Sequence, residues 1–343
     1  MGFIHQIISE FSVPTKIPFA IAFFIIGLVL LIKGGDWFVD GAAGLARRFR
    51  LPDIIVGATV VSIGTTLPEV MVSATGALNG QGAMAYGNAI GSIICNTALI
   101  AAISVAVNPG PVNTKSMKLP VAFFFGSAAI YCVAAYLFGQ FTRPIGLILL
   151  AIFAVYMVIT VRQGLKNPET VEEEEESEEK SRTLIAELLL LVIGAALIAI
   201  GANLLVDHGT FIAHSLGVPE TVIALTFVAL GTSLPELVTT ITSLRKGRAS
   251  LGIGNVIGAN IFNLVLVSGI SVTLAPFQVP VGKTLFGQNA SLVLDIPVML
   301  CVMLLLTVPA LCRKKLGRWQ GIVLLGIYVA FCICQFTLAV PAA

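Results

Sequence analysis

Apolar residues run along this chain in blocks of about 20 or more, each long enough to cross roughly 30 Å of hydrocarbon as a helix. The pattern predicts ten spans, near 17–46, 54–78, 84–107, 119–139, 144–161, 184–213, 220–244, 250–273, 290–311 and 319–338. The connections between them are polar, and their basic residues alternate. One set holds Arg47, Arg48, Arg50, Lys115, Lys118, Arg162, Lys166, Lys180, Arg182, Arg245, Lys246, Arg248, Arg313, Lys314, Lys315 and Arg318. The other holds Lys16, Arg143 and Lys283, with Lys33 left inside the first span. Basic connections mark the cytoplasmic side, so both termini are expected outside. Adding or dropping one helix would scramble this asymmetry.

Two stretches interrupt the apolar pattern in the same way. GTTLPEV (64–70) with GNAIGSIICN (87–96) is followed by GTSLPEL (231–237) with GNVIGANIFN (254–263), at a constant offset of 167. The likeness extends upstream, pairing Gly34 with Gly201, Asp40 with Asp207 and Pro52 with Pro219, and fades in the last two helices of each half. Five spans separate equivalent points, so the second copy enters the membrane upside down, an arrangement of transporters. The expected fold is an all-α integral membrane protein, with about ten transmembrane helices as two inverted-topology five-helix repeats. The expected divisions are 1–163 (motif 57–101), an acidic cytoplasmic linker at 164–182, and 183–343 (motif 224–268).

Composition agrees, since 57% of residues are hydrophobic and 11% charged, with a net charge of +2. That excludes a soluble domain, and no nucleic-acid partner is expected. The first apolar segment carries Lys33, Asp36 and Asp40 without a cleavage pattern, so it is read as a retained span, Lys33 pairing with Asp36 one turn along. Six cysteines match no zinc or disulfide spacing and are read as packing residues, although Cys95 adjoins Asn96. The acidic run Glu172–Glu176, with Glu178 and Glu179, reads as a solvated tether. It lacks the alternating ligands and turn glycine of a calcium loop. His5, His208 and His214 fall outside the repeated motifs, and the latter two are read as interface or packing residues.

Glu69 and Glu236 carry the chemistry, because an acid deep in a span costs several kcal/mol unless it faces a cavity or a partner. Pro68 and Pro235 each precede an acid. A proline inside a helix removes one N–H and crowds the carbonyl a turn earlier, here that of Gly64 or Gly231. With Thr65, Thr66, Thr232 and Ser233 alongside, the helix is expected to break there and aim freed oxygens at a cation. Asn96 and Asn263 add amide oxygens near the acids, and glycines spaced by four let helix backbones approach closely. Carboxylates, amides, hydroxyls and peptide oxygens, with no repeated His or Cys, suit a hard cation. Calcium accepts six to eight oxygens in irregular geometry, and sodium could occupy the same oxygens in its absence. Ions that share one set of ligands exclude each other, and exchange follows.

At these residues the chain resembles the cation/calcium exchanger superfamily, and is most similar to its prokaryotic sodium/calcium exchangers. The motifs G-T-[TS]-L-P-E and G-N-x-I-G-x-x-I-x-N carry the resemblance, which covers the whole ten-span plan. It implies that Glu69 and Glu236 bind calcium with the peptide oxygens of Thr65 and Thr232. Ser62 and Ala229 would offer carbonyls to sodium, Thr66, Ser233 and Ser92 hydroxyls, and Asn96 and Asn263 would line the centre. Ca²⁺ and Na⁺ are then transported ions, no cofactor is implied, and the location is a cell membrane, the inner one in a bacterium. Ala259 stands where the family usually has a serine matching Ser92. Asn263 replaces the aspartate of some members, so no potassium requirement is expected. Calcium/proton antiport within the superfamily is the alternative. A cation channel ranks behind it, and a membrane-embedded enzyme lacks a repeated nucleophile and base.

Overall fold

The computed structural model describes residues 17–166, 183–216, 231–281 and 284–339. Among these, nine helices are long and apolar enough to cross a membrane. They are α1 (Ile17–Arg48), α2 (Asp53–Leu78), α3 (Gly82–Val107), α4 (Thr114–Phe138), α5 (Arg143–Lys166), α6 (Leu184–Ser215), α8 (Ala249–Leu274), α9 (Ser291–Arg313) and α10 (Arg318–Ala339). A shorter α7 (Leu234–Arg245) is the described part of the expected span 220–244. Apolar runs become helices because a lipid-embedded backbone must satisfy its polar groups within the segment. The expected spans agree with these helices to within a few residues. α5 continues to Lys166, into the expected linker, whose acidic run lies outside the described residues.

The two halves are related by inversion, as the packing of α1 on α6 shows directly. Gly27 meets Gly201 and Gly34 meets Gly194 so closely that an added methyl would lie 2.9 Å from a backbone oxygen of the other helix at either glycine. Gly194 and Gly201 are Gly27 and Gly34 shifted by 167, so each contact is the symmetry mate of the other and the helices run antiparallel. Small residues let the backbones touch, which is how helices associate where lipid gives no hydrophobic drive. Their other faces, with Ile25, Ile26 and Val29 on α1 and Ile185, Leu189 and Val192 on α6, are exposed, as lipid contact requires.

Short ribbons obey the same symmetry. β1 (Gly110–Pro111) pairs with β6 (Lys315–Leu316), and β2 (Gln140–Phe141) pairs with β3 (Phe277–Gln278). The registers Gly110↔Leu316 and Phe141↔Phe277 map onto each other. The shift for β6 is 175 rather than 167, and the hairpin β4 (Thr284–Leu285) to β5 (Gln288–Asn289) sits between, where the extra length enters.

Several helices widen by a π-turn, which leaves carbonyls without their usual donors. One π-turn occupies Gly57–Val61 of α2, and two more start at the motif asparagines, Asn96–Ala101 in α3 and Asn263–Val267 in α8. Hydroxyls take over as donors: Ser62 reaches the Gly57 carbonyl at 2.8 Å, Tyr156 that of Ala58 at 2.9 Å and Ser268 that of Asn263 at 2.9 Å.

Basic connections converge on one face, where three acid–base contacts join distant helices. Arg48 pairs with Glu187 at 2.9 Å, Arg248 with Asp53 at 2.9 Å and Lys246 with Asp40 at 2.6 Å. The expected pairing of Lys33 with Asp36 is not the one formed. Asp36 lies 4.0 Å from Lys246, whose ammonium also donates to the Asp36 carbonyl at 2.9 Å, because α1 turns its acidic stripe toward α7 and leaves Lys33 exposed.

Candidate ion-binding site

The middle of the bundle is polar where α2, α3, α7 and α8 meet. Glu69 and Glu236 are both fully buried, and their carboxylates lie within direct electrostatic range of each other. Glu236 faces the hydroxyls of Thr65 and Thr66 from the opposite half. A small cleft lined by Gly64, Thr65, Pro68 and Pro235, with Phe38 and Ile198 behind, brings the two motif prolines together. The inversion has therefore carried two acids 167 residues apart to one place.

No described residue places a well-formed hydrogen bond on any of the four carboxylate oxygens, and the Thr65 and Thr66 hydroxyls only face Glu236. Both side-chain atoms of Asn96 and of Asn263, and the hydroxyls of Thr66 and Ser233, are likewise buried without a partner. Leaving one buried polar group unpaired costs about 1–3 kcal/mol, and more for a charged group. A fold tolerates such a cluster where something else supplies the partners. These atoms come in symmetry-related pairs: Glu69 with Glu236, Asn96 with Asn263 and Thr66 with Ser233. No three His, Cys, Asp or Glu side chains cluster among the described residues. A cation here would have two carboxylates, with amide, hydroxyl and peptide oxygens, as its donors, a set suited to a hard ion.

Ser92 is buried one turn before Asn96, and Ser62 is buried on α2, while Ala229 lies outside the described residues. The expected helix break occurs in one half only. Around Pro235 the chain turns at Thr232 and Ser233, and α7 starts at Leu234 with the proline in its first turn, where its missing N–H costs nothing. Around Pro68 the helix runs unbroken from Ser62 to Leu78. There the distortion sits upstream, in the Gly57–Val61 π-turn.

Two residues prove more central than their motif position indicated. Thr65 donates to Asn255 Oδ1 at 3.2 Å, and Thr232 approaches Asn88 Oδ1 at 3.5 Å. Both links join opposite halves, and the offset of 167 converts one into the other. The signal was present in the sequence as a repeated asparagine after the first motif glycine. Cys95, beside Asn96, receives the Tyr328 hydroxyl at 3.8 Å and faces Ser233.

Inverted helical halves closing on a shared buried polar centre define a secondary transporter. The profile of the family described as sodium/calcium exchanger protein matches residues 19–162 and 186–337. An uncharacterised membrane protein of Methanocaldococcus jannaschii is 34% identical over 90% of this chain and 95% of its own length. The sodium/calcium exchanger MaX1 of Methanosarcina acetivorans is 31% identical over 91% and 97%. A solved structure of the sodium-calcium exchanger NCX_Mj, soaked with Na⁺ and Sr²⁺, superposes with a TM-score of 0.76 at 32% identity, covering 92% of this chain and 98% of that one. The chain belongs to the sodium/calcium exchanger family. It is a multi-pass membrane cation/Ca²⁺ antiporter, a transporter and not an enzyme.

Proposed function

We propose that this protein exchanges Ca²⁺ for Na⁺ by alternating access at a midplane site built on Glu69 and Glu236. The observation that carries this reading is the set of four buried carboxylate oxygens on which no described residue places a well-formed hydrogen bond. Two carboxylates balance one divalent ion. Peptide oxygens of Thr65 and Thr232 complete the calcium shell. Carbonyls of Ser62 and Ala229, hydroxyls of Thr66, Ser233 and Ser92, and the amides of Asn96 and Asn263 serve sodium and the centre of the site. The name of MaX1 and the sodium and strontium around NCX_Mj support the same pair of ion classes.

Exchange follows from electrostatics. An empty site holds two uncompensated buried charges, and loading it with Ca²⁺, or with Na⁺ ions, removes the repulsion that opposes reorientation. A ligand shifts a conformational equilibrium only by its differential affinity for the two states. Here the state in transit, sealed from water on both sides, is the one that most needs the charge neutralised. The moving units are the halves 1–163 and 183–343, with the basic connections and the linker at 164–182 cytoplasmic and both termini outside, in the cell membrane. Isotopic calcium uptake into vesicles under sodium, proton or potassium gradients, imposed one at a time, tests the coupling. Uptake driven by sodium alone is expected. Uptake driven by a proton gradient and indifferent to sodium would replace this reading with calcium/proton antiport, and flux without any counter-ion would replace it with a channel.

A further inference from the structure

Where α3 and α8 meet, the two copies of the repeat differ in chemistry. Asn260 of α8 donates its Nδ2 to the Thr97 hydroxyl of α3 at 2.7 Å and to Met303 Sδ of α9 at 3.2 Å. The Thr97 hydroxyl donates to the same sulfur at 3.3 Å, so no donor of the trio is left over. All three residues are fully buried. The offset of 167 turns Asn260 into Ile93 and Thr97 into Leu264. Beyond the β4–β5 hairpin the offset is 175, which turns Met303 into Ala128. Ile93, Leu264 and Ala128 all belong to one buried apolar core. A hydrogen-bonded trio in one copy is therefore an apolar trio in the other.

The polar trio adjoins the motif asparagines. Thr97 follows Asn96 directly, inside the π-turn Asn96–Ala101. Asn260 lies one turn before Asn263, whose N–H donates to the Asn260 carbonyl. The Asn96 side chain has no partner among the described residues, so its backbone sets where the amide stands. Its neighbours anchor that backbone unequally: Cys95 receives the long 3.8 Å contact from Tyr328, and Thr97 receives the 2.7 Å bond from the other half. Asn263 is flanked by Phe262 and Leu264, whose side chains form no hydrogen bonds. Apolar contact has no direction, whereas a hydrogen bond requires alignment and so fixes the rotation of one helix against the other.

We propose that Asn260 and Thr97 form a cross-half pin that positions Asn96 at the ion site, and that Asn263 has no such pin. Both are positioning residues, acting through Asn96 rather than on the ions. The inference rests on the site built on Glu69 and Glu236 above, whose centre Asn96 lines. The pin holds one of two symmetry-related amides in place before binding, and an oxygen already held loses no further freedom when the cation arrives.

The apolar mate supplies a control. Thr97→Leu, Asn260→Ile and Met303→Ala together copy Leu264, Ile93 and Ala128, a combination the fold already packs, and the smaller residue at 303 offsets the bulk added at the other two. Melting of the purified protein across a calcium titration reads two quantities, the calcium-free melting temperature and the calcium concentration at half of the calcium-induced rise. Thr97→Val, close in shape and without the hydroxyl, is expected to raise that concentration about fivefold, within the range of one hydrogen bond between helices in a membrane. Thr97→Ser keeps the hydroxyl and the parent's value. The triple variant melts with the parent in calcium-free buffer, yet keeps the raised calcium requirement.

A trio that serves packing alone gives the opposite pattern: Thr97→Val melts earlier with its calcium requirement unchanged, and the triple variant matches the parent in both quantities. An unchanged requirement in Thr97→Val, or a triple variant with the parent's requirement, overturns the proposal. If the triple variant does not fold, the contrast between Thr97→Val and Thr97→Ser decides. If Thr97→Val does not fold, Asn260→Leu removes the same bond from the other helix and must raise the requirement. A parent without any calcium-induced rise overturns the site on Glu69 and Glu236 and the pin with it, whereas a responsive parent matched by Thr97→Val overturns the pin alone.

Discussion

Glu69→Gln separates an ion ligand from a structural carboxyl, because the two roles predict opposite changes. The substitution keeps the side-chain volume and removes one of the two charges that balance a divalent ion. A unit charge 4 Å from a carboxylate interacts by about 4 kcal/mol at an effective dielectric constant of about 20. Ca²⁺ carries twice that charge, and desolvation offsets part of the gain. Taking about 4 kcal/mol as the net loss lowers calcium affinity roughly a thousandfold. Folding responds differently. Both Glu69 oxygens are buried without a well-formed hydrogen bond from another described residue, and Glu236 lies close enough to repel the ionised carboxylate. Glutamine therefore breaks no internal bond and relieves a repulsion. The purified variant is expected to melt at or above the parent's temperature in calcium-free buffer. The parent gains about 2.7 kcal/mol when calcium stands at 100 times Kd, whereas the variant gains nothing at that concentration. Thermal melting in detergent with and without calcium, beside isotopic uptake, reads both quantities. A variant that melts earlier without calcium, yet keeps the calcium-induced rise, would make Glu69 a structural residue and sink the site.

Three further outcomes follow from the packing and the charges. Gly34→Ala places a methyl 2.8 Å from the Ile198 amide nitrogen and is expected to destabilise the protein by about 1–3 kcal/mol. Gly126→Ala, which meets no described atom within 4 Å, leaves the melting temperature unchanged. Protons compete with cations for Glu69 and Glu236, so acidification raises the calcium concentration for half-maximal uptake. A value constant from about pH 8 to about pH 3.5, below the ordinary Glu range, would place both acids outside the transport path. Arg248→Ala removes a pair that is about one-fifth exposed on each side. It costs up to about 1 kcal/mol in melting experiments, and the difference from the parent shrinks in about 1 M salt; an effect indifferent to salt would point to lost packing instead.

Much of this architecture is legible in the chain because its determinants are local. Apolar run length, basic connections and a repeat with a fixed offset specify spans, sidedness and inversion, and Gly27, Gly34, Gly194 and Gly201 show the inversion in contact. The acids are legible for a related reason: lipid makes a buried Glu conspicuous. What escapes is set by tertiary partners. Nothing in the residues at Asn96 or Asn263 announces a π-turn, because the widening depends on the helix packed alongside and on the hydroxyl, such as Ser268, that takes the freed carbonyl. Pro68 looked like a break and is absorbed within a continuous helix, whereas Pro235, in an almost identical sentence, sits at a true helix start. Lys33 lost Asp36 to Lys246, a residue more than 200 positions away. Nearly identical motifs in different conformations suit the two-state carrier proposed above, and a single reading of the motif cannot contain both.

The ion pairs on the basic face have a consequence for the resting posture of the carrier. Two perfect copies, one inverted, would give a molecule with no preferred side, as content to gape one way as the other. Here the copies are unequal at the edges: Arg248, Lys246 and Arg48 have Gln81, Asn79 and Ser215 as their opposite numbers, and Glu187 has Ala20. These partly buried ion pairs contribute up to about 1 kcal/mol each, so on the alternating-access reading proposed above each pair that parts in the opposite posture weights the carrier toward the present one by up to about fivefold. On that reading, gradients decide which way the cargo moves, while rim charges bias which door stands open when no cargo is waiting.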